Sequence, residues 1–166
     1  MTSRGIYPDA SVSQKNTFAR VSLNEFTGQK SLYASRDFSR GDVICPFYAG
    51  TTQQSPDRFT VQIEEGKHIT LLPEMLQYIN HSCAPNAFFD TTLMLLACLQ
   101  DIQEGDEITF FYPGTEWEMA EPFDCNCGSP SCLKIINGAS SLPFNVLKEY
   151  KLTDFISSMV HRKFSI

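Results

Sequence analysis

The 166-residue chain has no apolar run long enough to cross a bilayer. The longest, Leu93 to Leu99, falls far short of the roughly 20 residues a spanning helix needs. Positive charge is also scarce: thirteen Lys and Arg stand against nineteen Asp and Glu, a formal charge of −6. The densest basic cluster is His161-Arg162-Lys163, so no patch is present to hold a phosphate backbone, and direct nucleic-acid binding is not expected. Met1 to Pro8 contain no apolar segment of the secretory type, which makes a reducing intracellular compartment, cytoplasm or nucleus, the expectation. There is no internal repeat, no His-x-Glu of the zinc deaminases, and no third partner for a His81–Cys83 hydrolase.

What remains is an ordinary globular composition, 42% hydrophobic and 19% charged with nine Gly and nine Pro. A single domain of this length buries about 70% of the surface of its unfolded chain, so six cysteines are not needed as disulfide staples. Its acidity suits a cationic partner.

Residues 1–16 mix Ser, Asp, Pro, Gln and Lys without periodicity and read as a loose arm. Alternation over Thr17–Leu23 and Ser31–Ala34, then Val43–Tyr48 after the turn Ser39-Arg40-Gly41-Asp42, predicts short strands. Arg58–Ile63 and His68–Leu72 flank Glu64-Glu65-Gly66-Lys67 as a hairpin, and Pro73 opens a brief helix. Leu93–Leu99 reads as a buried strand, and Glu107–Tyr112 as a strand heavy in aromatic residues. Leu142–Tyr150 and Asp154–Val160 carry apolar residues at helical spacing, with Thr153 placed to cap the second helix. The fold class is therefore β-rich α+β with a short C-terminal helical extension.

Cys125-Asn126-Cys127-Gly128-Ser129-Pro130-Ser131-Cys132 gathers three thiols around a Gly and a Pro that let the backbone reverse. A structural zinc ion wants four ligands, and the fourth is open among Cys83, Cys45, Cys98, His68, His81 and His161, with Cys98 inside an apolar run. Three free surface thiols are the plain alternative. A redox disulfide lacks a thioredoxin-like setting.

Tyr78-Ile79-Asn80-His81-Ser82-Cys83-Ala84-Pro85-Asn86 sets polar side chains between apolar stretches, a costly composition unless each group finds a partner. This segment, followed by Gly105-Asp106-Glu107-Ile108-Thr109-Phe110-Phe111-Tyr112 and then Cys125-x-Cys127-x4-Cys132, closely resembles the SET-domain protein lysine methyltransferases. The three match, in order, the family's Asn-His-Ser-Cys-x-Pro-Asn box, its Gly-Glu-Glu-Leu-Thr-Phe-Asp-Tyr strand and its post-SET zinc loop. The resemblance covers about Thr17 to Leu133. It divides the chain into the arm (1–16), a SET domain (17–118), a post-SET zinc segment (119–136) and the helical extension (137–166).

The resemblance implies a knot-like threading of the catalytic strand, S-adenosylmethionine as cofactor, and structural zinc on Cys83, Cys125, Cys127 and Cys132. It assigns Asn80 and His81 to the cofactor, with Lys30, Ser31 and Leu32 of the segment Gly28–Ala34 that stands where the family carries Gly-x-Gly, and with Phe123. Tyr112 is the implied catalytic tyrosine and is also counted among the cofactor-binding residues. Methyl transfer is an in-line displacement by a neutral amine, and a phenol suits orienting that amine and helping to deprotonate it. Phe110 stands where the family carries Phe or Tyr, and Phe leaves room for di- or trimethylation. Trp117 and Phe123 are candidates either for a roof over the channel or for the core. The implied partner is a lysine-bearing protein or peptide, a basic histone-like tail among the candidates, with no membrane. A SET scaffold repurposed for binding, or for a small molecule, is the alternative, and S-adenosylmethionine binding discriminates the two.

Overall fold

The computed structural model describes residues 18–166, so the arm expected at 1–16 lies outside the described residues. Small sheets surround the main core. Strands β1 (Ala19–Leu23) and β2 (Lys30–Ala34) make an antiparallel hairpin. Strands β3 (Val43–Pro46), β8 (Ala87–Asp90) and β9 (Leu95–Cys98) form a sheet in the order β3-β9-β8, and β4 (Tyr48–Gln53), β5 (Thr60–Glu64) and β6 (Lys67–Leu72) another in the order β4-β6-β5. Strand β7 (Asn80–His81) pairs in parallel with β10 (Thr109–Phe110), and β11 (Phe123–Asp124) pairs with β12 (Ile135–Ile136). A 3₁₀ turn at Glu74–Tyr78 follows Pro73, and helices α1 (Phe144–Leu147) and α2 (Asp154–Phe164) come last. Among the described residues no helix is long and apolar enough to cross a membrane.

Several expected elements are shorter than their patterns, among them the helix expected over Leu142–Tyr150, which is α1 over Phe144–Leu147 only. Val43–Tyr48 is two strands: Pro46 still pairs with Leu95 and the Phe47 N–H donates to the Met94 carbonyl at 3.0 Å, after which Phe47, fully buried, drops into the core and β4 starts in the other sheet. Leu93–Leu99 is a strand only from Leu95. Met94 adopts φ 55°, and the turn it makes leaves Leu93 68% exposed. The aromatic segment is a strand only over Thr109–Phe110, since Pro113 opens a turn spanning Tyr112–Gly114.

Phe47, Phe89 and Phe110 meet edge to face, at 5.4 and 4.9 Å between ring centroids, and carry the core out to Tyr112 at 4.6 Å from Phe110. The C-terminal extension builds a second core from Ala139, Leu147, Ile156 and Val160, with Trp117 against it. Thr153 caps α2 by accepting from the Ile156 N–H at 3.3 Å, as its position in the sequence anticipates, and His161, Arg162 and Lys163 stand in the last turn, where the helix dipole favours cations.

The extension also grips the segment after Tyr112. The Ala139 and Ser140 N–H groups donate to the Glu116 and Trp117 carbonyls at 2.8 and 2.9 Å, and the Thr153 N–H to the Gly114 carbonyl at 3.0 Å. Only glycine fits at 138: a Cβ there would lie 2.2 Å from the Trp117 carbonyl oxygen. Gly138→Ala is expected to cost about 1–3 kcal/mol, since backbone must shift to relieve the overlap. A lowered midpoint in urea unfolding checks it.

Candidate active site

One cavity of about 850 Å³ opens between β2, β5, β7 and the segment 119–127. Of the residues expected at the site, Lys30, Ser31, Asn80, His81, Phe110, Tyr112 and Phe123 line it. Leu32 does not. Alternation along β2 turns its side chain fully into the core, so only its backbone is left, and the carbonyl accepts from the Ile108 N–H at 2.8 Å. Trp117 belongs to the second core rather than to a roof over the cavity.

The Asn80 amide ties three segments together. Its Nδ2 lies 2.8 Å from Ser31 Oγ, 2.9 Å from Glu107 Oε1 and 3.2 Å from the Lys30 carbonyl, while its Oδ1 accepts from Gln29 Nε2 at 3.3 Å. Asn86 acts as a piece of strand: its Nδ2 donates to the Glu107 carbonyl and its Oδ1 accepts from the Thr109 N–H, both at 2.8 Å. Lys30 Nζ lies 4.4 Å above the Tyr78 ring, within cation–π range.

Both ring nitrogens of His81 are engaged. Nδ1 accepts the Tyr112 N–H at 3.2 Å, which places the ring proton on Nε2, 3.3 Å from Cys83 Sγ. Burial lowers its pKa to about 4, so the ring is neutral. Its backbone and ring face, not its nitrogens, are what it offers the cavity. The Tyr112 hydroxyl donates to the Ile79 carbonyl at 3.0 Å, and burial pushes the phenol up to about 12. A phenol that stays protonated orients an amine through its lone pairs and does not take the amine's proton. Phe111 turns away and stacks on Tyr150 at 3.6 Å.

Cys83, Cys125, Cys127 and Cys132 bring their sulfurs within 4.8 Å of one another. The Cys83 and Cys125 sulfurs are 4.0 Å apart, close to the roughly 3.8 Å edge of a tetrahedron with zinc–sulfur bonds of about 2.3 Å. Burial first, with the neighbouring Cys125 and Cys127 thiols adding to it against the Leu133 N–H, drives the Cys83 thiol up to about 12, so closing the cluster as thiolates calls for a cation to supply the missing charge. Gly128, at φ 73°, makes the reversal that folds Cys132 back on Cys125. The four-thiol set could hold zinc, with His81 Nε2–H as an outer hydrogen bond on Cys83. The other cysteines lie elsewhere: Cys45 is in the main core, and Cys98 donates to the Gln100 carbonyl at 2.9 Å.

One cavity group has no counterpart in the sequence patterns. Glu116, 6% exposed, is among the cavity's lining residues, but both its carboxyl oxygens are buried without a hydrogen bond, and Oε2 lies 3.7 Å from Nδ1 of buried His68, an atom that also makes none. The only sequence-level cue is a charge set between Tyr-Pro-Gly-Thr and Trp. His68 was legible only as a metal candidate.

This architecture and these motifs define a SET domain: the sequence profile of that family matches residues 29–113, and the chain belongs to it. It is 39% identical over 106 residues to the methyltransferase flvH of Aspergillus flavus, covering 63% of this chain and 59% of that protein. It is 31% identical over 111 residues to the H3 lysine-36 specific histone-lysine N-methyltransferase of Schizosaccharomyces pombe, covering 58% of this chain and 14% of that protein. The chain therefore spans little more than half of the first relative and a small part of the second. In fold it is similar to KRYPTONITE crystallised with mCHH DNA, H3(1-15) peptide and SAH, with a TM-score of 0.54 and 19% identity over 70% of this chain and 29% of that one.

Purified protein is expected to carry one zinc per chain, and Cys127→Ser to lower that content and the thermal midpoint together. Metal analysis beside a melting curve checks it; full zinc content in the variant would remove Cys127 from the ligand set.

Proposed function

We propose that this chain is an S-adenosylmethionine-dependent protein lysine N-methyltransferase able to place two or three methyl groups. The observation that carries the reading is the convergence on one cavity of the Asn80–His81 strand, the Tyr112 phenol and, from the four-cysteine cluster, Cys125 and Cys127. The relatives named as methyltransferases support it. In this reading residues 17–118 are the SET domain, 119–136 the post-SET zinc segment and 137–166 a helical extension that braces the site.

When bound, S-adenosylmethionine supplies an electrophilic methyl on a sulfonium. Lys30 and Ser31, Asn80, His81 and Phe123 hold it, and Tyr112 closes the same pocket. The Tyr112 oxygen accepts an N–H from the substrate amine while its own O–H stays donated to the Ile79 carbonyl, which aims the nitrogen lone pair along the line of displacement. The aromatic wall of Phe110 and Tyr112 excludes water and favours the cation that moves from sulfur to nitrogen. Phe110 carries no hydroxyl to restrain a methylated amine, which leaves it free to rotate for another round.

The substrate in this reading is a lysine on a protein or peptide, met inside the cell, and a histone tail heads the candidates because several relatives are histone-lysine methyltransferases. Calorimetric titration with S-adenosylmethionine tests the first step, and absence of binding with and without a lysine peptide would sink the reading. Tyr112→Phe should cut turnover about a hundredfold or more with cofactor affinity little changed. Phe110→Tyr should shift the product, read by mass spectrometry, towards monomethyl-lysine.

A further inference from the structure

We propose that Tyr150, in the C-terminal extension, is a positioning residue for the Tyr112 phenol and acts on it through Phe111. Its part in the reaction rests on the methyltransfer reading; its hold on Tyr112 does not.

The need for such a residue starts where β10 ends. Its ladder with β7 stops at Phe110, and Phe111 follows in extended conformation, φ −88° and ψ 104°, before the turn Tyr112–Gly114 begins. Neighbouring side chains of an extended backbone point to opposite sides, so the direction Phe111 takes decides the direction left to Tyr112. The family's strand carries Asp at this position, a side chain that water covers. Phe111 needs a cover of its own, and it is only 4% exposed. Tyr150 supplies that cover, its ring parallel to Phe111 within 4° at 3.6 Å between centroids. It comes from beyond residues 29–113, the segment that matches the family.

Tyr150 is itself fixed at both ends. Its N–H donates to the carbonyl of Leu147, fully buried in the second core, at 3.1 Å, and its hydroxyl donates to the Cys83 carbonyl at 2.9 Å. The turn after Phe111 is gripped from the same side: the Gly114 carbonyl accepts from the Thr153 N–H, and a Cβ on Gly114 would lie 3.0 Å from the Lys151 carbonyl oxygen. Tyr112 is therefore held from two directions. Its hydroxyl and its amide donate to the Ile79 carbonyl and to His81 Nδ1, which fixes it against the short segment that carries β7. The ring of Phe111 on Tyr150 fixes it against the extension. With that second hold gone, the peptide between Phe111 and Tyr112 is free to turn and the phenol oxygen leaves the direction from which it receives the amine. The flat ring carries the hold, so Phe at 150 suffices and a flexible apolar side chain does not.

The test compares the zinc-loaded full chain with its Tyr150→Phe and Tyr150→Met variants, by residue-resolved amide hydrogen exchange and by steady-state kinetics on a lysine peptide. Tyr150→Met is expected to speed exchange of the Tyr112 amide about tenfold, the scale of one aromatic contact, while the Ile108 amide, which donates to the Leu32 carbonyl in the main core, stays within about twofold. Its kcat should fall about tenfold, with KM for the peptide and affinity for SAH changed by less than about threefold. Tyr150→Phe should keep both exchange and kcat within about threefold of wild type. A Tyr150 that served stability alone would loosen Ile108 as much as Tyr112. Unchanged Tyr112 exchange in Tyr150→Met, equal acceleration at the two amides, an unchanged kcat, or a Tyr150→Phe as impaired as Tyr150→Met overturns the proposal. If Tyr150→Met does not fold, exchange of wild type in low urea decides: the Tyr112 amide should open together with the Thr153 amide, and opening apart from it overturns the proposal. A wild type that turns over no lysine peptide counts against the methyltransfer reading only, and exchange then decides alone.

Discussion

A parallel pairing only two residues long, β7 against β10, holds the site together. Two residues of ladder contribute too few backbone hydrogen bonds, at about 1 kcal/mol net each, to keep a strand in place. Side chains extend it. Asn86 supplies an amide that donates and accepts like one more residue of strand, Asn80 binds the start of β2 and Glu107 at once, and Phe110 presses edge-on into Phe89 of the core. Displace that pair and Tyr112, His81 and the cysteine cluster lose their common frame.

His81 is where the metal centre and the phenol meet. One ring nitrogen holds the backbone of Tyr112 and the other touches Cys83, so a single neutral imidazole spans the two chemistries. The cysteine loop thus positions the floor of the cavity as well as closing its end, and Tyr150 completes the contact by donating from its hydroxyl to the Cys83 carbonyl at 2.9 Å.

The motifs were legible because their chemistry is local. Asn80, His81, Cys83 and Asn86 lie within one short segment, and Cys125, Cys127 and Cys132 within another, so residue type and spacing alone announce them. The hairpin β5–β6 and the cap of α2 were legible for the same reason, through alternation and a well-placed threonine. Leu93 misled, because a left-handed Met94 ends the strand in a way that an apolar run does not reveal. Leu32 misled because strand alternation, not motif position, decides which side chain faces the cavity. Glu116 was invisible: a carboxylate becomes a buried acid only when β5 on one side and the extension on the other close over it, and no spacing records that.

Residues 139 to 153 hold the backbone around Glu116, stack on Phe111 and reach the Cys83 carbonyl, although the groups they brace lie up to 67 residues earlier. Such contacts pay a loop-closure entropy before they return anything, and they order events in time. As the chain leaves the ribosome, the sheets can form from the segments already made, but the wall that carries Glu116 has nothing to close against until Tyr150 and Thr153 have emerged. The site therefore closes only after these later residues have been made.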